Sequence, residues 1–205
     1  MKPVKNWNDV KAAREREALP AGGYVVKIVG AKVQSYPASD GTYFDKLEIA
    51  LDIIEGDHKG FYDADFRAQT GEDKKWRGVL RQYLPKDDGS EKDEWTKSSL
   101  KALIEAVEES NSGFHWDWDE TKLKGKTVGC LFRLEEWSMD GKKGWKAQPF
   151  RFISAEKARK GAFTVPKFKA HRDHPSDTPD NYQTVAAVSA PAFEPIGGDD
   201  GDLPF

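Results

Sequence analysis

The sequence predicts a mainly β domain with a helical insert, an α+β fold, and three observations lead there. Runs dense in β-branched and aromatic residues occupy both ends of the body, from Tyr24 to Glu55 and from Thr127 to Ile153. Between them the apolar spacing changes from two residues to three and four, the period of a helix. Beyond Ala170 the composition turns to Pro, Asp, Ser, Ala and Gly with few large apolar side chains, so the folded body ends there. The 205 residues therefore divide into an N-terminal helical extension (1–21), one domain (22–169) and a disordered acidic tail (170–205).

Residues 8–18 (NDVKAAREREA) are rich in helix formers behind a candidate cap, Asn8, and stop at Pro20 and Gly22-Gly23, as a short exposed helix would. The run YVVKIVGAKVQSY reads as the first strand, with Gly30 where a strand bulges or bends. Pro37 to Gly41 supplies a hairpin turn. In the second strand, Tyr43 to Glu55, Leu47, Ile49, Leu51 and Ile53 alternate with Lys46, Glu48, Ala50 and Asp52, burying one face and wetting the other. Phe44 falls on the wet face. After a turn at Gly56–Gly60, GFYDADF (60–66) reads as a short third strand.

Trp76, Val79, Leu80, Tyr83 and Leu84 then fall at i, i+3, i+4, i+7 and i+8, one face of a helix that Pro85 closes, with Arg77 and Arg81 four apart on its exposed side. A charged loop, Lys86 to Glu94, leads to a second helix capped by Ser98 or Ser99. Its apolar stripe is Leu100, Leu103, Ile104 and Val107, and it ends at Asn111–Gly113. Val128, Cys130, Phe132 and Leu134 alternate in the fourth strand, and Asp140-Gly141 turns into the fifth, Trp145 to Ile153. Residues 154–169 read as a helical turn and an extended coda. Three strands, a helical insert and two strands, with the helix between strands three and four, match a five-stranded OB-type barrel, whose strand 2–3 face and loops bind single strands.

The charge is unevenly distributed. The chain carries −3 overall, but residues 170–205 hold one basic residue, Arg172, against seven acidic ones and so carry −6, which leaves +3 on residues 1–169. A basic body with an acidic tail suits a nucleic-acid partner. The single cysteine, Cys130, excludes an internal disulfide and a cysteine-cluster metal site, and its apolar neighbours mark it as a core residue. No run approaches the roughly 18 apolar residues of a membrane span. With no signal-peptide pattern, the expectation is a soluble, cytoplasmic protein without membrane contact.

Binding a single strand takes cations for phosphates and aromatic faces for bases. Phe44 offers one such face on strand two. Arg133 and Trp137 share the parity opposite the apolar face of strand four, and Trp145 and Arg151 share the parity opposite Phe150 and Phe152. Lys142, Lys143 and Lys146 crowd the same turn, so a basic-aromatic finger between strands four and five is the leading DNA contact, extended by Arg77 and Arg81. Trp116 and Trp118, interleaved with Asp117 and Asp119, are assigned to packing. No phosphate-cradling GxxxxGK[ST], dinucleotide fingerprint or GxSxG is present. Neither Asp63 and Asp65 nor the group Asp117, Asp119 and Glu120 has a His or Lys at a partnering spacing for a divalent metal, and the cluster His171 to His174 falls in the disordered tail and reads as incidental. The reading is accordingly a non-enzyme with no cofactor and no metal.

The chain ends Asp199-Asp200-Gly201-Asp202-Leu203-Pro204-Phe205. Carboxylates beside a Leu-Pro-Phe anchor suit capture by a basic and apolar pocket on another protein, with Pro204 limiting the entropy lost on docking. This tip resembles the acidic C-terminal tip of bacterial and phage single-stranded DNA-binding proteins, which recruits replication and recombination enzymes. The segments Ser110 to Trp118, Lys122 to Gly129, Phe152 to Ser154 and Val165-Pro166 resemble a family of phage and prophage proteins of Gram-positive bacteria encoded among replication and recombination functions and regarded as single-stranded DNA-binding proteins. The resemblance implies an OB-type domain that coats single strands without sequence preference, and partner binding through Asp199, Asp200, Asp202, Leu203, Pro204 and Phe205. It does not reproduce the pattern of the common bacterial single-stranded DNA-binding protein, so the DNA contacts rest on strand parity alone. An OB-like protein-interaction adaptor, a strand-annealing recombination protein and a metal-dependent nuclease stay open, and a homo-oligomer is compatible with the sequence.

Overall fold

Strand β1 (Gly22–Pro37) is long enough to serve two partners. Its first residues pair antiparallel with β4 (Thr127–Met139), from Gly22 opposite Phe132 to Lys27 opposite Thr127, and the remainder pairs with β2 (Tyr43–Ile53), from Val26 opposite Ile53 to Pro37 opposite Tyr43. The register shifts between Ile28 and Gly30, leaving Val29 without a cross-strand residue at the glycine singled out in the sequence. β3 (Val79–Tyr83) adds to β2, and β5 (Lys142–Ile153) adds to β4. The result is a mainly antiparallel five-stranded sheet in the order β3-β2-β1-β4-β5, an α+β fold. The two edge strands, β3 and β5, come together without a ladder, so the sheet is not closed. The computed structural model describes residues 18–172; the predicted N-terminal helix up to Glu17, the acidic tail beyond Arg172 and the tip Asp199 to Phe205 lie outside them.

The sequence puts a strand at 60–66 and a helix at 76–84, and the structure reverses both. Residues Phe61–Ala68 form helix α1 because Asp52, ten residues upstream on β2, caps it: its Oδ1 accepts from the backbone N–H groups of Tyr62 and Ile53, each at 2.9 Å, and Oδ2 from Asp63 at 3.4 Å. Gly60, at φ 73°, supplies the left-handed entry. Trp76 is not on a helix. Its indole N–H donates to the Leu51 carbonyl at 3.0 Å and its ring leans on Phe66, pinning an extended segment that runs into β3. There Leu80 is buried opposite Ile49, while Val79, Arg81 and Tyr83 share the outward parity.

The helix between β3 and β4 is present. This is α2 (Glu91–Ser110), which begins well before Ser98 because Ser90 is the cap, its Oγ accepting from the Asp93 N–H at 3.2 Å. Leu100, Leu103, Ile104 and Val107 are all buried and pack across β3, β4 and β5. The core joins them to Leu47, Ile49, Leu51 and Ile53 of β2 and to Val128, Cys130 and Phe132 of β4. Burial pushes the Cys130 thiol far above its ordinary range, which leaves it an inert core group. Leu19, within the segment read as an extension, is also buried in this core. A 3-10 turn at Glu120–Leu123 and helix α3 (Ala155–Lys160) complete the body. Among the described residues no helix is long and apolar enough to cross a membrane.

At Gly129 the backbones of β4 and the β5–α3 junction approach closely. A Cβ there would lie 2.6 Å from the Ser154 carbonyl oxygen and 2.9 Å from Ala158 Cβ. Gly129→Ala is therefore expected to lower unfolding free energy by about 1–3 kcal/mol in urea titration, whereas Gly30→Ala, with nothing within 4 Å of its Cβ, changes it by no more than about 0.5 kcal/mol. Equal midpoints for the two variants would contradict this packing.

Candidate nucleic-acid interface

The alternation that buries Leu47 and Ile49 turns Phe44, Lys46 and Glu48 outward, and the registers of β1 and β3 place matching side chains beside them. Tyr36 lies opposite Phe44, and Lys46 opposite Tyr83. The Tyr36 and Phe44 rings stack with centroids 5.8 Å apart and planes 17° apart, and Phe44 and Tyr83 follow at 5.5 Å and 39°. The Lys46 ammonium sits 4.2 Å from the Tyr83 centroid, 5.3 Å from Phe44 and 5.4 Å from Tyr36. One cation is thus held against three rings, the pairing of charge and stacking surface that a nucleic-acid strand requires.

Glu48 organises the adjoining row. Its Oε1 accepts hydrogen bonds from the Tyr36 hydroxyl and from Arg81 Nε, the latter at 2.8 Å, while Oε2 lies 3.6 Å from Lys32 Nζ. The side chain is only 12% exposed. Burial alone would raise the Glu48 carboxyl, but the hydrogen bonds from Tyr36 and Arg81 and the charges of Arg81 and Lys32 outweigh it and hold the group below its ordinary range. Arg81 therefore belongs to a strand face and not to a helix face. Arg77 precedes β3 and pairs with the buried Asp65, Nη1 to Oδ1 at 3.3 Å.

The β4–β5 hairpin carries the second group. Trp137 is 40% exposed and lies across Gly144, where a Cβ would come within 2.9 Å of the indole. Lys142 and Lys143 are exposed at the turn beyond it. Arg133, on the same outward side as Trp137, bonds Glu135 and lays its guanidinium carbon 4.3 Å from the Phe150 centroid, with Arg151 at 5.4 Å from the same ring. Lys146 also faces outward, opposite Glu135. Neighbouring protein and then the charge of Arg77 depress its ammonium below the ordinary lysine range.

Trp145 departs from its expected side. The β4–β5 register shifts between Leu131 and Phe132, leaving Phe150 outside the ladder, and this bulge inverts the alternation along β5. Trp145 consequently shares the inward side with Ala147, packs on the core and meets Phe168 edge-on at 5.4 Å. Trp116 packs on the core as assigned, but Trp118 is 77% exposed. Tyr36, Lys46, Tyr83, Lys32 and Glu48 are absent from the sequence-derived set. Phe44 and Lys46 share a parity that could have named Lys46, and the hairpin register implied by the Pro37–Gly41 turn could have named Tyr36; Tyr83 was hidden by the helix assignment.

Because the Glu48 carboxyl sits below its ordinary range in the folded protein, it stabilises the fold above about pH 4.3, and that contribution is lost as pH falls through its lowered value. In denaturant titrations from neutral to acid pH, Glu48→Gln is expected to flatten the acid limb of the stability profile relative to the parent. An unchanged acid limb would remove Glu48 from the organising role given to it here.

No protein-family model and no curated protein matches this chain, so the functional reading rests on the chemistry of these surfaces.

Proposed function

We propose that this protein is a non-enzymatic single-stranded DNA-binding protein of phage replication and recombination, acting in the cytoplasm of a bacterial host. The observation that carries the reading is the Tyr36–Phe44–Tyr83 stack around Lys46 on the outward face of β1, β2 and β3. The strand order and the helix between β3 and β4 suit an OB-type barrel left open between its edge strands, and in that architecture the strand 2–3 face and the loop between strands four and five bind oligonucleotides. Both aromatic-basic groups lie in those two regions. In this reading bases stack on Phe44, Tyr83 and Trp137 while Lys46, Arg81, Lys142, Lys143 and Lys146 follow the phosphates. The contacts address backbone and ring faces and so carry little sequence preference.

The tip Asp199 to Phe205 supplies the other half of the proposal, recruitment of replication or recombination enzymes through carboxylates and an apolar anchor. As a tethered polyanion it also competes with DNA for the same cations.

Titration with oligo-dT is expected to quench tryptophan fluorescence, with affinity falling steeply as salt rises, by about 0.7 log unit per log unit of salt for each phosphate contact. Phe44→Ala and Tyr83→Ala should each weaken binding by about 1–3 kcal/mol. Absence of any quenching or gel shift would sink the DNA reading and favour a protein-interaction adaptor.

Deleting residues 199–205 is expected to leave DNA affinity unchanged or raised and to abolish capture of replication enzymes by the immobilised protein. Loss of DNA binding on truncation would overturn this division of labour.

A further inference from the structure

One long strand edge of the sheet is left open. Where β1 ends short of β4, the coda takes its place: the Lys169 N–H donates to the Leu134 carbonyl at 2.8 Å, and its carbonyl accepts from the Glu136 N–H at 2.9 Å. The corresponding edge of β1 has no such cover past Ile28, whose own N–H donates to Lys126. The direction of its backbone groups follows from β2. The Leu51 N–H donates to Gly78 and the Asp45 carbonyl accepts from the Leu84 N–H, both on the β3 side, so by antiparallel alternation Ile49 and Leu47 also turn their groups toward β3. Their β1 partners Ala31 and Val33, with Ser35 opposite Asp45, therefore turn N–H and C=O away from β2, toward the open edge. Among the described residues no other strand reaches these groups; the Ser35 carbonyl accepts from the Gln34 side-chain amide at 3.2 Å. Nor is the edge guarded by charge. Lys32 stands 3.6 Å from Glu48 of its own sheet, and Val33 is 43% exposed.

Turned on itself by a two-fold axis through Val33, this edge matches its own sequence. Val33 meets Val33, Ala31 meets Ser35 and Lys32 meets Gln34, so no like charges lie opposite each other. Tyr36, on the outward face, falls opposite Gly30, where a Cβ would meet nothing within 4 Å, and an aromatic ring covers a bare edge glycine well. We propose that this edge of β1 pairs antiparallel with β1 of a second copy, centred on Val33. Each outward-turned pair then exchanges two hydrogen bonds. The axis stands normal to the sheet, so the Tyr36–Phe44–Tyr83 stacks of both copies lie on one side of one continuous sheet. That joined face rests on the single-stranded DNA reading; the pairing itself does not.

Sedimentation of the full-length protein without DNA is expected to show monomers and dimers exchanging in the micromolar range, because a short ladder is a small interface. Val33→Pro, which removes a central N–H that β2 does not use, and Val33→Asp, which sets like charges at the axis, should both leave it monomeric with an unchanged circular dichroism spectrum. Opposed Cα atoms of such a pair stand about 5.5 Å apart, within disulfide reach. Val33→Cys should therefore cross-link on mild oxidation, and Ser35→Cys, which falls opposite Ala31, should not. A monomer at every concentration, a dimer that both Val33→Pro and Val33→Asp preserve, or equal cross-linking of the two cysteine variants overturns the pairing. On oligo-dT long enough to span both faces, the parent should bind about tenfold tighter than Val33→Pro, while short oligo-dT binds both equally. Equal affinity at both lengths overturns the joined face. Failure of every oligo-dT to bind removes the DNA reading and leaves the sedimentation result to decide the pairing.

Discussion

Sixteen residues of β1 hold the two halves of the sheet together, and the rest of the molecule depends on how they are shared. The first six pair with β4 and those from Val26 onward with β2, so only Val26 and Lys27 face partners on both sides. A strand divided this way must turn, and the bulge between Ile28 and Gly30 is where the ladder to β2 is interrupted just beyond the last residue that β4 holds. Beyond it β1 continues along β2, which carries β3 on its other edge as far as Lys46, to the turn, where the Asp40 carboxylate accepts from the Thr42 N–H at 2.9 Å. Tyr36 and Phe44 stack near the end of that pairing. The position of the aromatic face is thus a consequence of where β1 leaves β4.

Electrostatics on this face organise more than they stabilise. Lys32 and Arg81 are more than half exposed, so their pairs with Glu48 are screened by solvent and contribute about 0–1 kcal/mol each, little on a scale set by the buried apolar core. What the carboxylate does is hold Tyr36 and Arg81 in fixed positions beside the Lys46 cluster. Side chains ordered before a ligand arrives lose less entropy when it binds. The carboxylate also offsets the repulsion between Lys32 and Arg81.

The legible parts of the sequence were those governed by local alternation. Leu47 to Ile53, Val128 to Leu134 and the stripe from Leu100 to Val107 all face the core as their periods require. Two elements were exchanged because the deciding contacts are remote: Asp52 caps α1 from the preceding strand, and the Trp76 indole bonds to Leu51, twenty-five residues away. The apparent helical period of Trp76, Val79, Leu80, Tyr83 and Leu84 merged an extended anchor with a strand. The alternation read from Phe150 and Phe152 holds only for Phe152, which is buried; at the bulge Phe150 leaves the ladder and meets Arg133 and Arg151, and the parity carried from it to Trp145 is inverted. Phe44 and Trp137 could be placed from parity alone; Tyr83 could not, because its face depended on the element to which it was assigned.

The open seam has its own physical account. β3 has only five residues, and β5 carries Pro149, which lacks the N–H that a ladder on both sides would use and is at home on an edge strand. Arg77 and Arg81 stand on one side of the gap, paired with Asp65 and Glu48, and Lys146 stands on the other, opposite Glu135. An edge left unpaired is ordinarily exposed to pairing with another chain. Here α2 packs across β3, β4 and β5, while Phe61, Tyr62 and Trp145 line the cleft beside the open seam. Strand shortness and the missing proline N–H thus act on one feature, an edge that cannot complete a ladder.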